Sequence, residues 1–238
     1  MKVKRIGKRR LLILPLSARR VRQISWISLF LVFLLILFCY LIYQHGTAEH
    51  PSPRRIDMQI AFHNPKVKNN LDLVKYVENA RDCKWGYLYG TFGQILDPGL
   101  LDYCREKYPD EVAPYLEFTR KNWMGGRVTD CVGLIKGYGW FDPASGGYEY
   151  RSNGMPDLNA NGMAQAAQEK GEIQSIPEIP GLAVWMNGHI GVYIGNGEVI
   201  EAMSSQRGVV QTKLKGRGWQ LWLKIPSLEY DLPDSSAS

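Results

Sequence analysis

The sequence predicts an α+β domain preceded by a single apolar helix. Helix signals with clear caps crowd the first half of the domain, and period-two strands joined by Asn-Gly turns crowd the second. Ahead of both lies an uncharged run over Ile24–Tyr43, rich in Leu, Ile, Phe and Trp. At about 1.5 Å per residue it is long enough to cross a hydrocarbon layer of about 30 Å.

Nine Lys or Arg residues and no acidic residue stand before that run, which predicts a cytoplasmic N-terminus and an exported remainder. The stretch that follows, Gln44-His45-Gly46-Thr47-Ala48-Glu49, has no small-x-small cleavage pattern, so an uncleaved anchor is expected in place of a signal peptide. The chain divides into a basic tail (1–23), an anchor (24–44), a linker (45–66) stiffened by His50-Pro51-Ser52-Pro53, a domain (67–230) and a loose tail (231–238). Of 29 basic and 23 acidic residues, only 20 basic ones remain after Arg22, a net charge of −3 for that part. The basic balance is a topology signal, and nucleic-acid binding is not expected.

Within the domain, Asn70 is placed to cap a helix through Leu71, Leu73, Val74, Tyr76 and Val77. Asp97-Pro98 opens another with Leu100, Leu101 and Tyr103, and Val112 to Phe118 continues after the Pro109-Asp110 break. Thr129 or Asp130 can cap a helix whose apolar positions are Val132, Leu134 and Ile135, leaving Cys131 in its first turn. The Gly-, Asn- and Pro-rich stretch from 146 to 180 is expected as a lid-like loop with one short helix near Met163–Lys170. Five strands should follow, at 182–185, 190–194, 199–203, 209–214 and 219–225, with hairpins at Asn187-Gly188 and Asn196-Gly197.

Cys131 and His189 are the chemically distinctive pair. A thiol at a helix N-terminus is flanked by unpaired amide donors, and a neighbouring imidazole can take its proton. His189 is the only histidine after His63, so a histidine base has no other candidate in the domain. A helix-borne Cys followed by a distant strand-borne His is the arrangement of a papain-like site. Cys83 and Cys104 could pair outside the membrane, although a domain of this size does not demand it, and Cys39 falls in the anchor. With no Cys-x-x-Cys pair, neither a metal site nor a cofactor is expected. Asp157-Leu158-Asn159-Ala160-Asn161-Gly162 matches half of a calcium loop, but Gln168 stands at its twelfth position, and a turn with a helix cap explains it better.

Asp-Cys-x-Gly at 130–133, followed by His-x-Gly-x-Tyr-x-Gly-Asn-Gly at 189–197, resembles the NlpC/P60 family of cell-wall cysteine peptidases, over roughly Trp85 to Pro226. The resemblance implies a papain-like fold with helices packed on a small antiparallel sheet. It implies Cys131 as nucleophile, His189 as base and Glu201, twelve positions after the histidine, as the orienting residue; many members carry His, Asn or Gln there. The Tyr-x-x-Gly segment Tyr87-Leu88-Tyr89-Gly90 supplies Tyr87 as oxyanion donor, with Tyr89 as its competitor. Asp130 would meet an amino group of the substrate, and Val132 stands where the family usually has serine. Thr91 to Arg127 resembles an inserted helical pair forming one wall of the cleft.

The substrate so implied is the peptide stem of peptidoglycan, cut after γ-D-glutamate through a thioester, by a single-pass bacterial membrane protein whose domain faces outward. Partners in an envelope assembly are possible. Two alternatives stand beside this reading. One is a CHAP-like amidase or endopeptidase, also Cys/His based and often with a glutamate. The other is a non-catalytic wall-binding component of an envelope-spanning secretion or conjugation apparatus.

Overall fold

The computed structural model describes residues 29–37, 67–142 and 144–231. The basic tail, most of the anchor, the linker and nearly all of the C-terminal tail lie outside the described residues. Residues 29–37 are helical and exposed. Among the described residues no helix is long and apolar enough to cross a membrane.

The domain begins with helix Asn70–Asp82, whose buried face is Leu73, Tyr76, Val77 and Ala80. Its cap is Asn69, one residue before the predicted one: the Asn69 side chain accepts the Asp72 N–H at 2.8 Å. Asn70 is wholly buried inside the first turn and is used elsewhere. It donates to the carbonyls of Pro180 (2.8 Å) and Asp231 (3.0 Å) and accepts the Asp231 N–H, so it ties the end of the domain to its beginning.

Three short strands follow that the sequence did not announce: β1 (Gly86–Tyr87), β2 (Phe92–Ile95) and β3 (Arg127–Thr129). They form one sheet in the order β1-β3-β2, with β1 and β3 parallel, which sets Tyr87 beside Thr129. Between β2 and β3 lies the helical insertion: Pro98–Lys107, Pro109–Val112 and Leu116–Asn122. Asp97 caps it, accepting the Leu100 N–H at 2.7 Å. The insertion has its own small core of Leu88, Leu96, Leu101, Cys104, Val112 and Val128. Cys83 and Cys104 are free thiols that belong to different clusters, so no disulfide joins them.

Helix Gly133–Trp140 is apolar on nearly every side, with only Lys136 less than buried, as expected of a helix enclosed by the core. A two-stranded ribbon follows, β4 (Phe141–Asp142) with β5 (Gly147–Tyr148). The short helix of the 146–180 stretch is Ala160–Ala166, earlier than predicted, because Asn159 caps it by accepting the Gly162 N–H at 2.7 Å. Lys170 then falls in strand β6 (Lys170–Glu172).

The main sheet is antiparallel throughout and has six strands where five were predicted. Its order is β10-β9-β8-β7-β11-β6, with β7 Ala183–Met186, β8 His189–Gly195, β9 Glu198–Ser204, β10 Gly208–Lys213 and β11 Leu221–Leu223. The last strand is shorter than the predicted 219–225 and crosses the sheet to pair with β7 and β6. Ala183, Ile190, Val192, Ile200 and Ala202 face the main core with helices Asn70–Asp82 and Gly133–Trp140. Val184, Tyr193 and Val199 face the other way, under Ile173, Ile176 and Ile179. Part of the predicted lid therefore covers the back of the sheet.

Candidate active site

Cys131 sits at the head of the Gly133–Trp140 helix. Asp130 caps that turn: its Oδ1 accepts the Gly133 N–H at 2.6 Å and its carbonyl accepts the Leu134 N–H at 3.0 Å. Its Oδ2 accepts the Gly90 N–H at 2.9 Å, so one carboxylate clamps the start of the helix to the loop between β1 and β2. Asp130 is buried, and burial raises its pKa against the pull of these N–H groups and of Lys136.

Burial pushes the Cys131 thiol up to about 12, and the Asp130 carboxylate adds to the shift. The backbone N–H groups of Ile190, Val132 and Cys131 itself act in the opposite direction. The sulfur thus lies against the N–H of the residue that follows His189, which brings the two halves of the sequence signature together. With the site at rest the thiol is protonated, and a base must remove its proton as the attack proceeds.

His189 opens β8, and its Nε2 is 2.7 Å from Glu201 Oε2. The strand register pairs Val192 with Ile200, which puts Glu201 across from Gly191 and diagonal to the histidine. Gly191 makes this possible: a Cβ there would stand 3.2 Å from both the Glu201 Cβ and the Trp219 ring. Glu201 is wholly buried and accepts from four donors. Oε1 takes the Thr212 hydroxyl (2.7 Å) and Arg217 Nε (2.8 Å); Oε2 takes Arg217 Nη2 (2.6 Å) and His189.

These bonds outweigh desolvation and hold the Glu201 carboxyl down at about 2. A carboxylate can only accept, so the histidine carries its proton on Nε2 and leaves Nδ1 as the basic nitrogen. Trp219 stacks on the imidazole, with ring centroids 5.5 Å apart and planes at 13°.

Because its folded pKa is depressed, Glu201 stabilises the fold above its ordinary value of 4.5 and loses that contribution as pH falls toward 2. The full contribution is about 3 kcal/mol. Urea midpoints measured between neutral pH and about pH 3 should fall with a slope that Glu201→Gln flattens; an unchanged slope would mean the carboxylate is not held as described.

A cleft of about 760 Å³ opens beside Cys131. Tyr103, Lys107 and Tyr108 of the insertion form one wall; Asp157, Leu158 and Asn159 form the other. Asp130, Cys131, Val132 and Lys136 lie along it. Lys136 reaches from the nucleophile helix to Asp157 at 2.6 Å, and Asp157 also accepts the Tyr150 hydroxyl, which pins the second wall to the helix.

Tyr89 lines this cleft, whereas Tyr87, His189 and Glu201 stand outside its lining. Burial, with the Cys131 and Asp130 charges, raises the Tyr87 pKa, so its phenol stays neutral as a donor near the thiol. Among the described residues no group of three or more His, Cys, Asp or Glu side chains could hold a metal ion.

Sequence reasoning missed Arg217, Thr212 and Asn161. Thr212 was accessible from strand alternation, since it lies on the same face of β10 as Val210, the neighbour of Glu201. Arg217 sits in Gly216-Arg217-Gly218, a loop without a pattern. Asn161 holds the hairpin that carries His189. Its Oδ1 accepts the Gly188 N–H (2.8 Å) and Trp185 Nε1–H (3.2 Å), and its Nδ2 donates to Asn187 (3.0 Å).

No family model and no curated protein matches the sequence. Among solved structures, the chain is similar to NlpC/P60 domains. The NlpC/p60 domain of the peptidoglycan hydrolase SagA is 12% identical over 66% of this chain and 99% of that one, with a TM-score of 0.39. The peptidoglycan hydrolase RipB from Mycobacterium tuberculosis is 20% identical over 68% of each chain, at 0.38. The P60 domain of an antigen from M. avium subspecies paratuberculosis is 19% identical over 68% of this chain and 98% of that one, at 0.37. At that level of likeness, the reading of the site rests on its own residues.

Proposed function

We propose that this chain is a cysteine hydrolase of the NlpC/P60 type that cuts an amide bond in the peptide stem of peptidoglycan. The observation that carries the chemistry is the juxtaposition at β8: a thiol against the Ile190 N–H, and an imidazole held through Nε2 by Glu201 at 2.7 Å. The substrate class comes from the Asp-Cys-x-Gly and His-x-Gly-x-Tyr-x-Gly-Asn-Gly signatures.

In this reading His189 Nδ1 takes the Cys131 proton as sulfur attacks the amide carbonyl. The oxyanion is met by the N–H groups at the head of the nucleophile helix and by the Tyr87 phenol. His189 then protonates the leaving amine, and the thioester is hydrolysed by a water that the same imidazole activates. Asp130 orients the nucleophile through its two backbone bonds; a meeting with a substrate amine would use the edge it presents to the cleft. The apolar run at 24–44 and its basic flank support a single-pass anchor with the domain on the outer face of a bacterial membrane.

Digestion of purified cell wall, with fragments read by mass, tests the proposal. Release of peptide fragments by the wild type and none by Cys131→Ala is the expected result. No release from any wall preparation, with Cys131 refusing a thiol probe, would sink it. The pairing of His189 with a glutamate also suits a CHAP-like amidase, and fragments freed at the glycan–peptide junction would favour that second reading.

A further inference from the structure

Glu201 is wholly buried, and a lone buried carboxylate would bring a full negative charge to the imidazole. The structure does not leave it alone. Arg217 reaches in from the loop between β10 and β11 and grips both carboxylate oxygens, Nε to Oε1 at 2.8 Å and Nη2 to Oε2 at 2.6 Å. Its guanidinium also lies 5.7 Å over the Trp219 ring, and the same ring stacks on His189. Imidazole, indole and guanidinium are thus joined by stacking and by the Glu201 carboxylate.

We propose that Arg217 is the positioning residue that allows a carboxylate to serve as the partner of His189. Its fork fixes the oxygen that receives Nε2–H, and its charge cancels that of Glu201, so the imidazole meets an oriented acceptor without net charge. The inference rests on reading Cys131 and His189 as nucleophile and base. The other titratable groups beside the nucleophile are Asp130 at the head of its helix and the Tyr87 phenol on β1. None of these is a cation, so among the described residues the balancing charge at Glu201 comes from Arg217, with His189 adding to it when protonated. A bidentate guanidinium fits this role better than an ammonium, which lacks the planar fork.

The test uses the full-length chain and the rate at which iodoacetamide alkylates Cys131 as a function of pH, followed by mass mapping so that the other thiols do not interfere. Glu201→Gln, Arg217→Gln and the double variant are compared. Because the resting thiol is protonated, alkylation becomes rapid only where the imidazole is neutral and free to take the Cys131 proton, so the rate rises through an edge set by His189. Arg217→Gln exposes the imidazole to an unbalanced carboxylate and should move that edge up by about one pH unit. Glu201→Gln leaves an unbalanced guanidinium and should move it down by a similar amount. The double variant, neutral again, should return toward the wild type.

Arg217→Lys is the second probe, in case removal of the guanidinium unfolds the domain. It keeps the charge without the fork, so the edge should hold its place while the alkylation rate drops about tenfold. Single variants that move the edge in the same direction, or not at all, would overturn the proposal, as would a double variant worse than either single one. Alkylation needs no substrate, so failure of wall digestion with these shifts intact would count against the peptidoglycan reading alone.

Discussion

Alanine in place of His189 is expected to lower wall hydrolysis by about 10³- to 10⁵-fold while leaving the domain folded. The histidine is half-buried at the mouth of a hairpin, and its hydrogen bond to Glu201 is one of four. When the ring is removed, Arg217 and Thr212 still satisfy the carboxylate, so no buried charge is stranded. The chemistry has no such reserve. The Cys131 thiol sits at about 12, and near neutral pH almost none of it is thiolate without a base to accept the proton. Steady-state release of muropeptides, with a thermal melt on the same preparation, separates the two effects. A His189→Ala protein that kept activity within tenfold of the wild type would show that some other group deprotonates the sulfur.

The parts of this site that could be read in the sequence are those set by local rules. Asp130-Cys131 announces a helix start, and a capping carboxylate is a short-range device, so the bonds to Gly133 and Leu134 follow from spacing alone. The strand alternation around His189 and the Asn196-Gly197 turn set the β8–β9 hairpin, and that hairpin carries Glu201 to the histidine. What could not be read depends on distant pieces of chain. Arg217 is chosen by where the β10–β11 loop lands. Strands β1 to β3 are two to four residues long and exist because they pair with one another, which is too short for a periodic signal. The shift of the cap from Asn70 to Asn69 has the same origin: two adjacent asparagines can each cap, and partners at Pro180 and Asp231 decide which one is taken into the core. The lid-like stretch split for a related reason, since residues around Asp157 bind the nucleophile helix while Ile173, Ile176 and Ile179 cover the sheet.

Gly133→Ala is expected to destabilise the domain by about 3 kcal/mol or more, lowering its melting temperature by roughly 6–12 °C. A Cβ at this position would stand 1.9 Å from the Thr91 carbonyl oxygen, 2.9 Å from Asp130 Oδ1 and 3.0 Å from the Thr129 hydroxyl. The first of these is backbone and has little freedom to retreat, because Thr91 O accepts the Asp130 N–H at 3.0 Å. Any displacement that relieves the clash therefore loosens the Asp130 clamp from both sides, through Thr91 and through Gly90, and moves the turn that carries Cys131. Activity should fall with stability, in contrast to His189→Ala. Gly147→Ala is the matched control, since the nearest atom to its Cβ would be 3.4 Å away. Thermal melts of the two variants decide the matter: a Gly133→Ala protein that melts alongside the control would mean the helix is not seated against the β1–β2 loop. The glycine of the Asp-Cys-x-Gly signature is thus a packing requirement, present because the helix that presents the thiol must approach the neighbouring backbone more closely than a methyl group allows.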